Sequence, residues 1–225
     1  MARFQRFARL NRVDIRGELR NMMGDSTEFR GQQESVIRAM IRGEGPILQV
    51  ARTGGGKKGA AIVIVPLTAL REDMHGRCEK NKTDSYVWQS GGSHPVTTVI
   101  FVTPESAVTK GFRDFVNRLQ SRDVLDRVVV DECHVLLDAS ADFRPKTLEL
   151  GAMIREWGVQ RVFLTATLPP ADEAECFRIA CILSERVHKF RMRTTRKNIA
   201  YSVKPVSAAA AQQEQAEDAE GCRIV

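Results

Sequence analysis

The chain has 225 residues, of which 43% are hydrophobic and 28% charged, an ordinary composition for a globular protein with a substantial core. Its net charge is +6, which permits a nucleic-acid partner, but the lysines and arginines are scattered and a solvated basic surface explains them equally well. No apolar run approaches the roughly 18 residues of a membrane span, and the basic start leads into no apolar signal core. We therefore expect a soluble, intracellular protein with no membrane partner.

Cysteine spacing predicts neither a zinc site nor a disulfide framework. The five cysteines are odd in number and include no C-x-x-C pair. A reducing compartment fits this usage, and the role expected for Cys133 is packing.

Short apolar runs alternate with amphipathic segments along most of the chain. Helical spacing predicts helices over residues 13–23, 36–41, 67–80, 106–119, 147–157 and 172–183. Runs rich in β-branched residues predict strands at 47–50, 61–65, 86–88, 97–102, 128–130 and 162–164. This alternation predicts an α/β fold whose sheet is largely parallel and covered by helices on both faces. Residues 207–225 are rich in Ala, Gln and Glu and are predicted to be a disordered tail.

A glycine-rich loop follows the first predicted strand. Its residues are Thr53, Gly54, Gly55, Gly56, Lys57 and Lys58. Glycines let backbone amides turn inward and cradle phosphate oxygens, and Lys57 stands where a P-loop lysine reaches the outer phosphates. The pattern G-x-x-x-x-G-K-[ST] is met only in part, because Ala51 holds its first position and Lys58 its last. The hydroxyl that would sit on a magnesium ion is therefore missing.

Two further polar clusters follow predicted strands, namely Asp131-Glu132 and Thr165-Ala166-Thr167. Parallel sheets place their ligand sites at the carboxyl ends of the strands. An aspartate there can hold Mg²⁺, and a neighbouring glutamate can orient and deprotonate an attacking water. Two adjacent acids are more often a solvated pair, but their position downstream of a glycine-lysine loop favours an ATP-hydrolysing site.

The ordered set of motifs resembles superfamily two helicases of the DEAD/DEAH-box type, and most closely the RecQ-type DNA helicases. Gly54–Lys57, Asp131–His134 and Thr165–Thr167 are similar to motifs I, II and III of that family. The resemblance implies a RecA-like P-loop domain that binds ATP and Mg²⁺, with Lys57, Asp131 and Glu132 as catalytic residues and Asp131 as the metal ligand. It also implies that His134, Thr165 and Thr167 couple the nucleotide state to DNA, although a lone histidine after a strand is often only hydrogen-bonded.

Five other segments extend the resemblance, which runs from about Leu19 to Val203; the last of them, Arg193–Ile199, is similar to the segment that leads into the second motor domain. Phe29-Arg30-Gly31-Gln32-Gln33 is similar to the adenine-binding segment ahead of the P-loop, which implies roles for Arg30 and Gln32, with Gln33 as the alternative glutamine. The remaining segments imply contacts with single-stranded or forked DNA. Those residues are Pro66, Thr68, Thr103, Pro104, Phe143 and Arg144. The family's tryptophan ahead of the D-F-R-P stretch has no counterpart here, which would weaken coupling to DNA.

The connection after the P-loop is unusually short. Only Gly59 and Ala60 stand between Lys58 and the next predicted strand, whereas a crossover containing a helix needs roughly 10–12 residues. We expect the helix after the P-loop to be missing, together with the amides and dipole that it would aim at the phosphates.

The resemblance implies a domain organisation and a function. Residues 1–28 would be an N-terminal helical segment, 29–190 the RecA-like ATP-binding domain, and 191–206 the start of a linker to a second motor domain that is absent. The expected function is the ATP-binding motor of a nuclear RecQ-like 3′–5′ DNA helicase, here truncated. The alternative is a catalytically inactive remnant that at most binds nucleic acid or a partner. An unrelated P-loop kinase or GTPase is disfavoured by the segments at 29–33 and 131–134.

Overall fold

The computed structural model describes residues 5, 8, 10–50, 59–92, 94–137 and 145–192, apart from the side chains of residues 50 and 145–148. Internal contacts divide the chain into Met1–Thr194 and Thr195–Val225. All described residues lie in the first of these units, and the predicted tail lies outside them.

Seven strands form one sheet. They are β1 (Ile47–Val50), β2 (Ala60–Ile64), β3 (Ser85–Val87), β4 (Val99–Val102), β5 (Leu125–Val130), β6 (Gln160–Thr165) and β7 (His188–Arg191). The order across the sheet is β3-β4-β2-β5-β6-β1-β7, and every neighbouring pair is parallel. This confirms the predicted fold class. Nearly continuous apolar runs such as Val128–Val130 are buried on both faces of the sheet, as expected of parallel strands.

Seven α-helices connect or flank the strands in the described residues. They are α1 (Ile15–Met23), α2 (Gln33–Ile41), α3 (Thr68–Lys80), α4 (Pro104–Ala107), α5 (Lys110–Ser121), α6 (Pro145–Glu156) and α7 (Glu173–Ile179). The predicted helix over 106–119 is two helices, because Thr109 caps α5 by accepting a hydrogen bond from the Phe112 amide. The predicted helix over 172–183 ends early, at Ile179. Across the described ranges, none of these helices has both the length and the apolar character needed to cross a membrane.

The core lies on the two faces of the sheet. On one face α5, α6 and α7 pack over the central strands, with Phe112 and Phe115 fully buried. On the other face α2 packs through Val36 and Ala39, and α3 adds half-buried side chains. Burying one such phenylalanine stabilises the fold by roughly 2–3 kcal/mol, so the helices are held mainly by apolar contact.

Strand β7 corrects the sequence analysis, which predicts no strand beyond residue 164. His188–Arg191 pairs in parallel with β1, matching Ile47 with His188 and Val50 with Arg191. Its only strongly apolar residue is Phe190, so it carries no apolar run for a sequence pattern to detect. Backbone pairing at the edge of the sheet forms this strand.

Strands β1 and β2 are consecutive in the chain but are separated in the sheet by β5 and β6. Residues 51–59 join them, one residue fewer than the sequence analysis assigns. Gly59 enters β2 with φ +128°, and a β-carbon there would lie 1.4 Å from Asp126 Oδ2. The expected loss of the P-loop helix concerns residues 51–58, which lie outside the described residues, and it stays a prediction.

Candidate active site

Asp131 lies directly after β5 at the carboxyl edge of the sheet. Its amide donates to the Ile64 carbonyl at 2.9 Å, which extends the pairing of β5 with β2 by one residue. Its side chain is buried, with 8% of the residue exposed. Burial raises the pKa of Asp131, although the Glu132 amide, 3.0 Å from Oδ1, opposes that rise. A buried carboxylate in this position is poised to accept a cation.

Glu132 adopts a left-handed backbone conformation, with φ +47° and ψ +47°. Such a conformation costs a non-glycine residue about 1 kcal/mol or more and is frequent at functional sites. A 3₁₀ helix, Cys133–Leu136, begins directly afterwards. The turn brings the Glu132 carboxylate to 3.2 Å from His134 Nδ1. The acid predicted to activate water is therefore held beside the predicted coupling histidine.

His134 links β5 to the end of β6. Its Nδ1 lies 2.9 Å from Thr165 Oγ1 and 3.2 Å from Thr167 Oγ1. The Thr167 amide also donates to Thr165 Oγ1 at 3.2 Å. Three residues predicted separately are thus brought into one hydrogen-bonded cluster with Glu132. One ring nitrogen cannot form good hydrogen bonds with three oxygens at once, so His134 can exchange its hydrogen-bond partner when the charge at the site changes.

Cys133 packs in the core, as predicted. It is fully buried, and the Cys176 thiol donates weakly to its carbonyl oxygen at 3.9 Å. Contact with the Cys176 thiol and burial raise the pKa of Cys133, so it stays a thiol rather than a nucleophile.

The two candidate glutamines differ in their hydrogen bonding. Gln33 Oε1 accepts from the Arg30 amide at 2.9 Å and closes the turn before α2. Gln32 Oε1 is buried and has no hydrogen-bond partner within the part of the chain that the structure describes. An unpaired buried carbonyl is costly, so Gln32 has acceptor capacity for a ligand. The Arg30 side chain is exposed.

Two predicted DNA-contact residues lie at the same edge as the acids. Pro66 and Pro104 line a small cleft together with Asp131 and Glu132. The Thr103 side chain is used locally, because it accepts from the Ser106 amide at 3.3 Å and caps α4. Thr68 opens α3 and is exposed.

Eight predicted site residues fall outside the described residues, and their roles stay predictions. They are Thr53, Gly54, Gly55, Gly56, Lys57, Lys58, Phe143 and Arg144. The last described residue ahead of the glycine loop is Val50, which pairs with Thr165 of β6. This register places Val50 at the same edge as the cluster around His134.

A larger cleft, of about 220 Å³, lies at the opposite edge of the sheet. It is lined by Gly45, Pro46, Asp126 and Gln160, among others, at or just before the amino ends of strands. None of the predicted site residues lines it. Since parallel sheets carry their ligand sites at the carboxyl edge, the smaller cleft beside Asp131 is the better candidate despite its size.

The described residues fit Mg²⁺ as a partly protein-bound ion. No group of three or more His, Cys, Asp or Glu side chains is arranged there to enclose a metal. Mg²⁺ usually keeps several waters and binds through one or two carboxylates and substrate phosphates. Asp131, a single buried carboxylate at the open edge, fits that mode.

Arg191 and Glu173 form contacts that the sequence analysis does not predict. Arg191 donates from Nη1 to the Leu168 carbonyl at 3.0 Å and from Nη2 to the Glu173 carboxylate. Burial favours the neutral form of Glu173, but hydrogen bonds from Lys189 and Arg191 outweigh it and lower its pKa. Arg191 is therefore not a free linker cation. No local pattern could reveal the pair, because its members lie on different elements.

Comparison with known proteins defines the class. Rat (Rattus norvegicus) ATP-dependent DNA helicase Q5 is 29% identical over 215 residues, covering 84% of this chain and 22% of its own length. RecQ-like DNA helicase BLM of Xenopus laevis is 29% identical over 205 residues, covering 79% of this chain and 15% of its own. The structure of S. cerevisiae Dbp5 bound to RNA and ADP BeF3 superposes with a TM-score of 0.54 at 14% identity, covering 83% of this chain and 52% of that one.

Fold and relatives together define a RecA-like helicase motor domain related to the RecQ helicases. The chain belongs to the DEAD/DEAH box helicase family, whose model matches residues 30–175. Membership implies the use of a nucleotide. The chain spans about a fifth of the length of the helicase Q5 relatives it matches.

Proposed function

We propose that this chain is the ATP-binding motor domain of a RecQ-like DNA helicase, comprising residues 29–190 followed by a linker over 191–206. ATP and Mg²⁺ would bind at the carboxyl edge of the sheet, and hydrolysis would drive 3′–5′ movement along single-stranded or forked DNA. A nuclear site of action is part of the same proposal. The chain's relatedness to DNA helicases supports it.

The observation that carries the proposal is the cluster around His134. Glu132, Thr165 and Thr167 all lie within 3.2 Å of its Nδ1. Glu132 would activate the attacking water, and a change in its charge would reach both threonines through the same ring nitrogen. This arrangement suits a motor, in which hydrolysis must change the conformation of neighbouring segments.

The remaining roles follow from charge and position. Lys57 would neutralise the outer phosphates, and Asp131 would hold Mg²⁺. The unpaired Gln32 carbonyl supports Gln32 as the adenine-reading glutamine, with Gln33 as the alternative. Arg30 would bind beside the adenine.

A second candidate is an inactive remnant that binds nucleic acid or a partner. It is favoured by Lys58, which removes the magnesium-binding hydroxyl, and by the nine residues that join β1 to β2.

ATP hydrolysis with and without single-stranded DNA separates the two. As a motor, the wild type should hydrolyse ATP faster with DNA, and Glu132→Gln should lose about 10²–10⁴-fold in turnover while still being stabilised by nucleotide. Lys58→Ser should raise Mg²⁺-dependent nucleotide affinity by supplying the missing hydroxyl. If wild type and Glu132→Gln both lack ATPase activity and nucleotide fails to raise the melting temperature, the chain is the inactive remnant.

A further inference from the structure

The carboxyl end of β7 lies level with two segments of the candidate site. Arg191 pairs with Val50, and Val50 pairs with Thr165, so these three residues stand side by side across neighbouring strands. Val50 is the last described residue before the glycine loop, and Thr165 opens the T-A-T segment. The carboxyl end of β7 therefore lies level with Thr165 and with the last described residue ahead of the glycine loop.

Polar contacts tie this exit to the T-A-T segment. Arg191 bridges the Leu168 carbonyl and the Glu173 carboxylate, and Lys189 Nζ donates to Glu173 Oε2 at 2.8 Å. The Glu173 side chain is only 13% exposed and is thus compensated by two cations of β7. Removing one cation would leave a poorly solvated charge, unlike the loss of an exposed surface pair.

An apolar contact ties the same exit to the segment at 29–33. A β-carbon added at Gly31 would lie 2.3 Å from Met192 Cε and 2.5 Å from Met192 Sδ, so the methionine side chain occupies the space that this glycine leaves. Gly31 also has φ +54°, which disfavours a side chain there. Residues 191 and 192 thus contact both the stretch that follows the T-A-T segment and the segment at 29–33.

We propose that Arg191, Glu173 and Met192 form an exit clamp that positions the T-A-T segment and the 29–33 segment against the carboxyl end of β7, so that a movement of either segment is felt at residues 186–192. Arg191 and Glu173 are positioning residues that act through the Leu168 backbone and α7. The identity of the ligand rests on the proposed function above, whereas the mechanical link does not.

Hydrogen exchange in the nucleotide-free protein tests the link directly. We expect Arg191→Ala to raise amide exchange over residues 165–169 by about tenfold or more, because the Leu168 carbonyl loses its donor. Glu173→Gln should raise it in the same direction, because Arg191 loses the carboxylate that holds it beside Leu168. Arg191→Lys should give an exchange rate between those of the wild type and Arg191→Ala, since lysine keeps the charge but lacks the planar guanidinium that bridges two acceptors. The matched control is Arg178→Ala, which breaks an exposed pair with Glu175 on the same helix.

Unchanged exchange over 165–169, or an equal rise in Arg178→Ala, would overturn the clamp. A second arm adds Mg²⁺ and a non-hydrolysable ATP analogue. The analogue should slow exchange over 186–192 in the wild type, and Met192→Ala should abolish that slowing and weaken binding about three- to tenfold. Protection that persists in Met192→Ala contradicts the clamp. Failure of the wild type to bind the analogue counts against the proposed function alone, because the nucleotide-free arm still decides the link.

Discussion

Asp131 combines two properties that oppose each other in a folded protein. It is nearly excluded from water, and it is a carboxylate whose pKa is raised by that burial. Because the folded state then holds the proton more tightly than the unfolded state, stability decreases as pH rises from the ordinary aspartate value of about 3.9 through the raised pKa. At neutral pH the protein carries the full penalty of the charged form.

Asp131→Asn should therefore raise the melting temperature at pH 7 and lose that advantage below about pH 4, where both states of the wild type are protonated. The asparagine side chain keeps an oxygen for the Glu132 amide, so that backbone donor keeps its acceptor. Thermal unfolding across pH 4–8 measures the effect, with exposed Glu105→Gln as the control, expected within about 0.5 kcal/mol of wild type. Under the proposed function the same variant loses Mg²⁺-dependent nucleotide binding. Equal melting temperatures at pH 7 would show that burial imposes no charge penalty.

At the level of elements, α6 and α7 approach each other through a glycine. A β-carbon at Gly151 would lie 1.9 Å from the Ile179 carbonyl oxygen, which is backbone and cannot swing aside. Gly76 of α3 offers a matched control, because nothing lies within 4 Å of its added β-carbon. The two positions separate helix propensity from packing.

Gly151→Ala should lower the free energy of unfolding by roughly 1–3 kcal/mol, since forcing the helices apart outweighs the propensity gain. Gly76→Ala should raise the free energy of unfolding by about 0.5–1 kcal/mol. Urea denaturation of both variants measures the difference. Stabilisation in both would mean that α6 and α7 are not in close contact.

The elements that could be predicted are those with a repeating apolar pattern. The strand at Val128–Val130 and the helix at 33–41 could be predicted from the spacing of their apolar residues, and the alternation of strands and helices predicts the parallel sheet. A threonine ahead of an apolar run is a helix-start signal, so the sequence does indicate the cap at Thr109. The helical spacing that continues over 106–119 is the stronger signal and predicts a single helix instead. Strand β7 was not predictable, because His-Lys-Phe-Arg carries no apolar run and the strand is formed by its backbone pairing with β1.

The candidate site follows the same division. Asp131, Glu132, His134 and Thr165 could be nominated because each follows a buried strand. The meeting of Glu132, Thr165 and Thr167 at His134 Nδ1 could not be predicted, since it depends on the left-handed turn at Glu132 and on the β5–β6 register.

For the whole molecule, the net charge of +6 means that contact with nucleic acid, under the proposed function, should be salt-sensitive. Binding to single-stranded DNA releases counterions, so affinity should fall roughly tenfold or more between 50 and 200 mM salt. Fluorescence anisotropy of a labelled oligonucleotide measures this, and an uncharged-backbone oligonucleotide of the same sequence is the control. Absence of binding at 50 mM salt would identify the basic residues as a solvated surface.

The position of β1 has a consequence for how the protein is made. Its residues emerge early during translation, yet its two neighbours in the sheet begin at Gln160 and His188. A nascent chain must therefore carry the apolar Ile47–Val50 segment unpaired until Gln160–Thr165, more than a hundred residues later, has left the ribosome. Such non-local pairing folds slowly and exposes strand edges to other chains. Slower synthesis, lower temperature or extra chaperone capacity should raise the soluble yield, whereas the native protein, once its sheet has closed, would not need them.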